Sequence, residues 1–285
     1  MQKIMRPGLF TFAIATTLAT TVASNADLPE EAQHQWPGFV VIELFTSQGC
    51  PSCPPADMML EQVKKKSQEK GAPIYTLAFH VDYWNRRGWH DRFSHRDYSR
   101  RQQSYSSRFS KRQIYTPQIV INGQIETHGA NVRKANASID HFLSQPSGVK
   151  INLDVQRDKT GNYLIVNYFA PNAPANSVIN LALVDGVHKT YVRRGGNRGH
   201  TLRNANIVRA FKARKITKPQ DEHTYRLLMP DDLIVSQATV IAYIQDRLTM
   251  SVLSAIAAPV PTTSEGQGKS KPPSFEPSGT SNAAN

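Results

Sequence analysis

Cysteine is scarce in this chain, with two among 285 residues. That excludes a disulfide-stapled scaffold, which needs several bridges. There is no second CxxC to complete a four-ligand zinc site, and the nine histidines are scattered. No Ser-His-Asp order, phosphate-binding glycine loop, paired-carboxylate motif or internal repeat stands out. The basic stretches Arg86–Arg112 and Lys189–Lys218 lack the spaced Cys/His ligands of a nucleic-acid finger, so nucleic acid is not an expected partner. After residue 26 no run is apolar enough to span a bilayer.

What is present begins with an address. "MQKIMR" is a short positive start, "LFTFAIATTLATTVA" is apolar but threonine-rich, and "SNA" offers small residues before Asp27. Residues 1–26 read as a secretory signal peptide. No cysteine directly follows the apolar run, which excludes a lipoprotein anchor. The expected location is secreted or periplasmic, with no stable membrane span after cleavage. The formal charge of +12 includes Lys3 and Arg6, so the mature chain carries 12 − 2 = +10. That balance suits anionic surfaces or partners without fixing one.

Periodicity predicts β-α-β-α-β-β-α from residue 38 to 143. "GFVVIELF" and "PIYTLAFHV" read as buried strands, and residues 54–70 as a helix stopped by Gly71. "QIVI" and "QIETH" flank Asn122-Gly123, a strong hairpin turn. Near Ser147 the pattern changes to short alternating strands such as "NYLIVNYF" and "VIAYIQD". The expected architecture is an α/β domain over 36–146 and an all-β, sandwich-like domain over 147–258. A disordered Pro/Ser/Gly tail is expected over 259–285.

Both cysteines lie in "ELFTSQGCPSCPPAD", three apart, between a predicted strand and helix. A structural disulfide, half a metal site and a redox dithiol compete as readings. A bridge from Cys50 to Cys53 closes almost no loop and constrains little. A helix N-terminus is where a thiolate is stabilised, which favours redox chemistry. Pro54 cannot donate the N–H a helix interior needs, so the helix is predicted to begin at about Cys53–Pro55.

"ELFTSQGCPSCPPAD", "AFHVDYW", "YTPQIVING" and "GGNRGHTL" together resemble a family of uncharacterised secreted thioredoxin-like proteins, over roughly residues 36–258. The resemblance implies an α/β thioredoxin-like fold for the first domain. It makes Cys50 the nucleophile and Cys53 the resolving thiol. It matches Pro117 to the proline that takes a cis peptide bond beside the dithiol, with Thr116 before it. It places Glu43 near a buried acid that moves protons for the second cysteine; an ion-paired carboxylate is the competing reading. No cofactor is implied, and the implied partner is a protein or small thiol/disulfide substrate.

His80, Asp82, Trp84, Trp89, His90 and Asp91 read either as a rim beside the dithiol or as a packed loop. His128 reads as a surface histidine. "RRGGNRG" reads as a basic hairpin loop, with anion binding through backbone N–H groups as the alternative. The function expected is a secreted thiol–disulfide oxidoreductase. The alternatives are a Cu(I)-binding, metallochaperone-like protein, or a β-domain binding module with a regulatory dithiol.

Overall fold

The computed structural model describes residues 37–111 and 113–263. The expected leader and nearly all of the expected tail lie outside them. The first half runs β1 (Val40–Thr46), α1 (Pro54–Lys70), β2 (Ile74–His80), α2 (Arg96–Arg108), β3 (Gln118–Ile121), β4 (Ile125–His128) and α3 (Val132–Leu143). Nine further strands follow: β5 (Asn152–Arg157), β6 (Tyr163–Ala170), β7 (Ser177–Asp185), β8 (His188–Tyr191), β9 (Thr201–Asn204), β10 (Ile207–Lys215), β11 (Asp221–Leu228), β12 (Thr239–Asp246) and β13 (Val252–Pro259).

Local chemistry explains the boundaries. α1 opens with proline in its first turn, where a missing N–H costs nothing, and closes on left-handed Gly71. Asn122 and Gly123 both take positive φ between β3 and β4. Asn131 caps α3 by accepting from the Lys134 N–H at 3.1 Å.

The expected division into an α/β thioredoxin-like domain and a separate all-β domain is corrected by the sheet topology. One mixed sheet of eight strands runs β13-β12-β7-β10-β2-β1-β3-β4. It takes strands from both sides of residue 147, and the described chain is mostly β. The joint is β2 against β10, parallel, with Ile207 opposite Ala78. Without β10, β2 would present a bare apolar edge, which folded proteins cover. β7 and β12 read as alternating yet are buried on both faces. Ile179, Leu181 and Leu183 of β7 pack against Leu164 and Val166 of the three-stranded sheet β11-β6-β5. Ala182 and Val184 join Phe79, Tyr98 and Tyr243 on the opposite face. Among the described residues the β8–β9 hairpin pairs only with itself.

The two faces of β1 carry different partners. Val41 and Phe45 face Tyr98 and Tyr105 of α2. Ile42 and Leu44 face Ala56 and Leu60 of α1. Among the described residues no helix is long and apolar enough to cross a membrane.

Candidate functional site

Cys50 and Cys53 form a disulfide at the junction of β1 and α1, and both are fully buried. Cys53 is the N-cap residue of α1, and its carbonyl accepts from the Ala56 and Asp57 N–H groups at 2.9 and 3.1 Å. Pro54 and Pro55 have no N–H. The helix start therefore offers a Cys50 thiolate fewer donors than usual. The Ser52 hydroxyl lies 3.5 Å from the Cys50 sulfur.

The Thr116–Pro117 peptide is cis. Pro117 reaches the start of α1 across Gly129, where an added methyl would come within 2.6 Å of Ala56 Cβ and 2.8 Å of Pro117 Cβ. Thr116 Oγ1 accepts from Trp84 Nε1 at 2.7 Å, and Trp84 in turn packs against Gly49. Trp89 Nε1 donates to Gln48 Oε1 at 3.1 Å. The loop after β2 is thus tied to the cysteine loop by both tryptophans. Asp82 accepts from the Ser99 hydroxyl at 2.5 Å, and His90 and His128 are exposed.

Glu43 is placed elsewhere. Strand alternation turns it with Val41 and Phe45 toward α2, opposite α1. There it is buried and held by Arg101, at 2.5 Å from Nε and 2.7 Å from Nη2, and by the Tyr105 hydroxyl at 2.7 Å. Arg101 Nη2 also donates to Gln245 Oε1 of β12 at 3.2 Å. The Arg101→Met variant strands this carboxylate in the core. It should lose about 3–5 kcal/mol of stability, read as a lower denaturant midpoint in both oxidised and reduced protein. A loss under about 1 kcal/mol would refute a buried, mutually dependent pair.

A different acid lies on the dithiol face. Asp57 follows Cys53 by one helical turn and is buried beside Thr46 and His80. Burial pushes its carboxyl up to about 7, against the opposing pull of His80 and the Thr46 hydroxyl. His80 Nδ1 pairs with Asp91 Oδ2 at 2.7 Å, both side chains being fully buried. Burial pushes the imidazole down, but Asp91 outweighs it and raises its pKa. Asp91 is drawn below the usual carboxylate range: burial opposes this, while His80 and the Gln48 and Phe93 N–H groups drive it. Among the described residues His80 Nε2 has no hydrogen-bond partner. Asp57 also lines a cavity of about 330 Å³ between α1 and β9, with Met58, Glu61, Thr201 and Leu202. Sequence reasoning passed over Asp57. Its one-turn offset from Cys53 was the available signal.

The loop after β8 covers the disulfide. Asn197 Nδ2 donates to the carbonyls of Gln48 and Cys50, both at 2.9 Å. Its hairpin is fastened by Gln48 Nε2 to Asn204 Oδ1 at 3.0 Å and by an Arg203–Glu61 pair at 2.5 Å. Backbone N–H groups of Arg198, Gly199 and His200 serve the loop's own turns. Among the described residues no group of three or more His, Cys, Asp or Glu side chains is gathered to hold a metal ion.

Fold and site together define a mixed-sheet, mostly β protein with a CxxC disulfide at a strand–helix junction. The chain belongs to the family described as protein of unknown function DUF1223, whose model matches residues 41–245. The crystal structure of protein AGR_C_4864 from Agrobacterium tumefaciens is similar at 24% identity and a TM-score of 0.59, covering 81% of this chain and 98% of that one. HBP35 of Porphyromonas gingivalis is similar at 13% identity and a TM-score of 0.53, covering 87% of this chain and 81% of that one. These likenesses establish a shared fold. No curated protein matches.

Proposed function

We propose that the protein is a thiol–disulfide oxidoreductase acting outside the cytosol. The observation that carries the reading is a disulfide closing a four-residue loop one helical turn from a buried carboxyl poised near pH 7. Such a short bridge constrains the unfolded chain little, so stabilisation is a poor account of it. A bridge also persists best in an oxidising compartment, in keeping with the leader-like first segment.

In the reducing direction the Cys50 thiolate attacks a substrate disulfide. One substrate sulfur leaves as a thiolate and takes a proton, and a Cys50–substrate disulfide forms. Cys53 then loses its proton, attacks Cys50 and expels the second substrate thiolate. Two electrons pass from the protein dithiol to the substrate, and the Cys50–Cys53 bridge is restored. Oxidation of a dithiol is the reverse sequence. In this reading Asp57 exchanges the Cys53 proton, and the His80–Asp91 pair fixes its setting. Glu43 serves the packing of β1 on α2.

The test is turnover. With glutathione as reductant, the protein should accelerate insulin reduction at least ten-fold over glutathione alone. With glutathione disulfide it should oxidise a dithiol peptide. Failure in both directions would refute the reading.

A further inference from the structure

We infer that the dithiol acts on anionic thiols and disulfides, those whose reacting sulfur is flanked by carboxylates, selected by an arginine rim on two loops. This rests on the oxidoreductase reading above.

The two loops are Asn85–His90, "NRRGWH", and Arg193–His200, "RRGGNRGH". They hold five arginines and no acid in 6 + 8 = 14 residues, against 34 basic and 22 acidic residues in the whole chain. The loops meet each other and the cysteine loop. A methyl added at Gly195 would lie 3.2 Å from the Arg87 carbonyl and 3.1 Å from Trp89 Cβ. One added at Gly196 would lie 2.5 Å from Pro51 Cγ and 3.2 Å from the Gly49 carbonyl. Pro51 is the residue after Cys50, so the rim adjoins the reacting bridge.

Arg86, Arg87, Arg193, Arg194 and Arg198 are all exposed, and none has an acidic partner among the described residues. The acids nearby are taken: Asp82, just before the first loop, is half-buried and accepts from the Ser99 hydroxyl. Asp91 is buried on His80, Glu61 pairs with Arg203, and Asp232 pairs with Arg92 and Arg209. Arg87 stacks on Trp84 at 4.4 Å, and the Trp84 indole donates to Thr116, so one cation is held on the ring tied to the Thr116–Pro117 turn. Scattered surface arginines are ordinarily solvated and nearly neutral in effect. Five uncompensated ones on two loops that meet beside the disulfide raise the local concentration of anions there. Nucleic acid suits the charge but has no sulfur to exchange at the centre that the rim adjoins. The ligand chemistry is therefore a carboxylate-bearing sulfur compound, either an acidic peptide or a small thiol such as glutathione.

The experiment uses the whole protein in two formats. First, Cys-free peptides carrying Glu or Lys on both sides of a central Ser are titrated onto oxidised protein, with tryptophan fluorescence as the readout. The acidic peptide should bind at least ten-fold tighter at low salt, and most of the gap should close near about 0.5 M salt. Second, reduced protein is reacted with Glu-flanked and Lys-flanked peptide disulfides, glutathione disulfide and neutral hydroxyethyl disulfide. The Glu-flanked peptide should outpace the Lys-flanked one at least ten-fold. Its rate relative to glutathione disulfide separates a peptide substrate from a small one.

In a variant with Arg193→Glu, Arg194→Glu and Arg198→Glu both ratios should fall toward one. A control with Lys150→Glu, Lys159→Glu and Lys218→Glu, on the edges around the second sheet, should keep them; circular dichroism checks both folds. Equal binding of the two peptides would overturn the inference, as would equal loss in the control variant. An oligonucleotide that outcompetes the acidic peptide would overturn it in favour of nucleic acid. A wild-type protein inert to hydroxyethyl disulfide and every peptide disulfide would instead sink the oxidoreductase reading, while the titration still judges the rim.

Discussion

Cys53→Ala should capture partners as stable mixed disulfides, and Cys50→Ala should capture almost none. Attack and release are separate tasks in a CxxC. Both sulfurs are buried in the disulfide, but Cys50 lies in the loop before the helix, next to exposed Pro51, whereas Cys53 is the N-cap residue of α1. Without Cys53, the Cys50–substrate bond has no neighbouring thiol to break it. Either variant should lose at least a thousand-fold in turnover, because each removes a bond-forming atom rather than a positioning contact. The readout is a non-reducing gel of alkylated extract from the exporting cell, beside insulin reduction by the purified variants. Equal capture by both would refute the division of labour. Capture by neither, with tight Cu(I) binding by the wild-type pair, would favour metal handling instead.

The Asp57→Asn variant should be more stable and slower. In the wild type the carboxyl stays protonated in the fold up to about pH 7, while in the unfolded chain it ionises near 3.8. Between those values the folded state binds more protons, so stability falls as pH rises through the window. Asparagine removes that penalty, and the variant should gain roughly 2–4 kcal/mol at pH 8 and almost nothing at pH 3. It also loses the group that takes the Cys53 proton. Release of a preformed Cys50 mixed disulfide should slow about 100-fold at pH 7. The deficit should shrink toward pH 9, where the thiol ionises unaided. Urea midpoints at three pH values and single-turnover release kinetics read the two effects. An unchanged pH–rate profile would remove Asp57 from the chemistry, and an unchanged stability profile would remove its buried, neutral state.

Local structure was legible because it depends on neighbours. Pro54 and Gly71 bracket α1, Asn122-Gly123 makes its turn, and the order from β1 to α3 follows periodicity alone. Sheet membership was not legible. A strand such as "INLALVD" shows which positions avoid water but not which strand lies beside it. The β2–β10 pairing is a long-range choice made by an apolar edge that needs covering. The site divides the same way. The cysteines, Thr116 and Pro117 stand in motifs. Glu43 was drawn toward the dithiol by its nearness in sequence, and strand alternation turns it to the other face. His80 and Asp91 stand in one stretch that reads as a rim or a packed loop, whereas Asn197 reaches the cysteine loop from a distant segment that no spacing announces.

The shared sheet also bears on how such a chain can change over generations. A fold made of two closed domains can be cut at the linker and each piece recombined with another partner. Here the cut near residue 147 would strip β2 of β10, open Arg101 and Glu43 to one side, and take the cover off the disulfide. Neither piece is a viable inheritance by itself. Tolerated change should therefore fall in the loops and the β8–β9 hairpin, while the eight strands of the mixed sheet pass on as one unit.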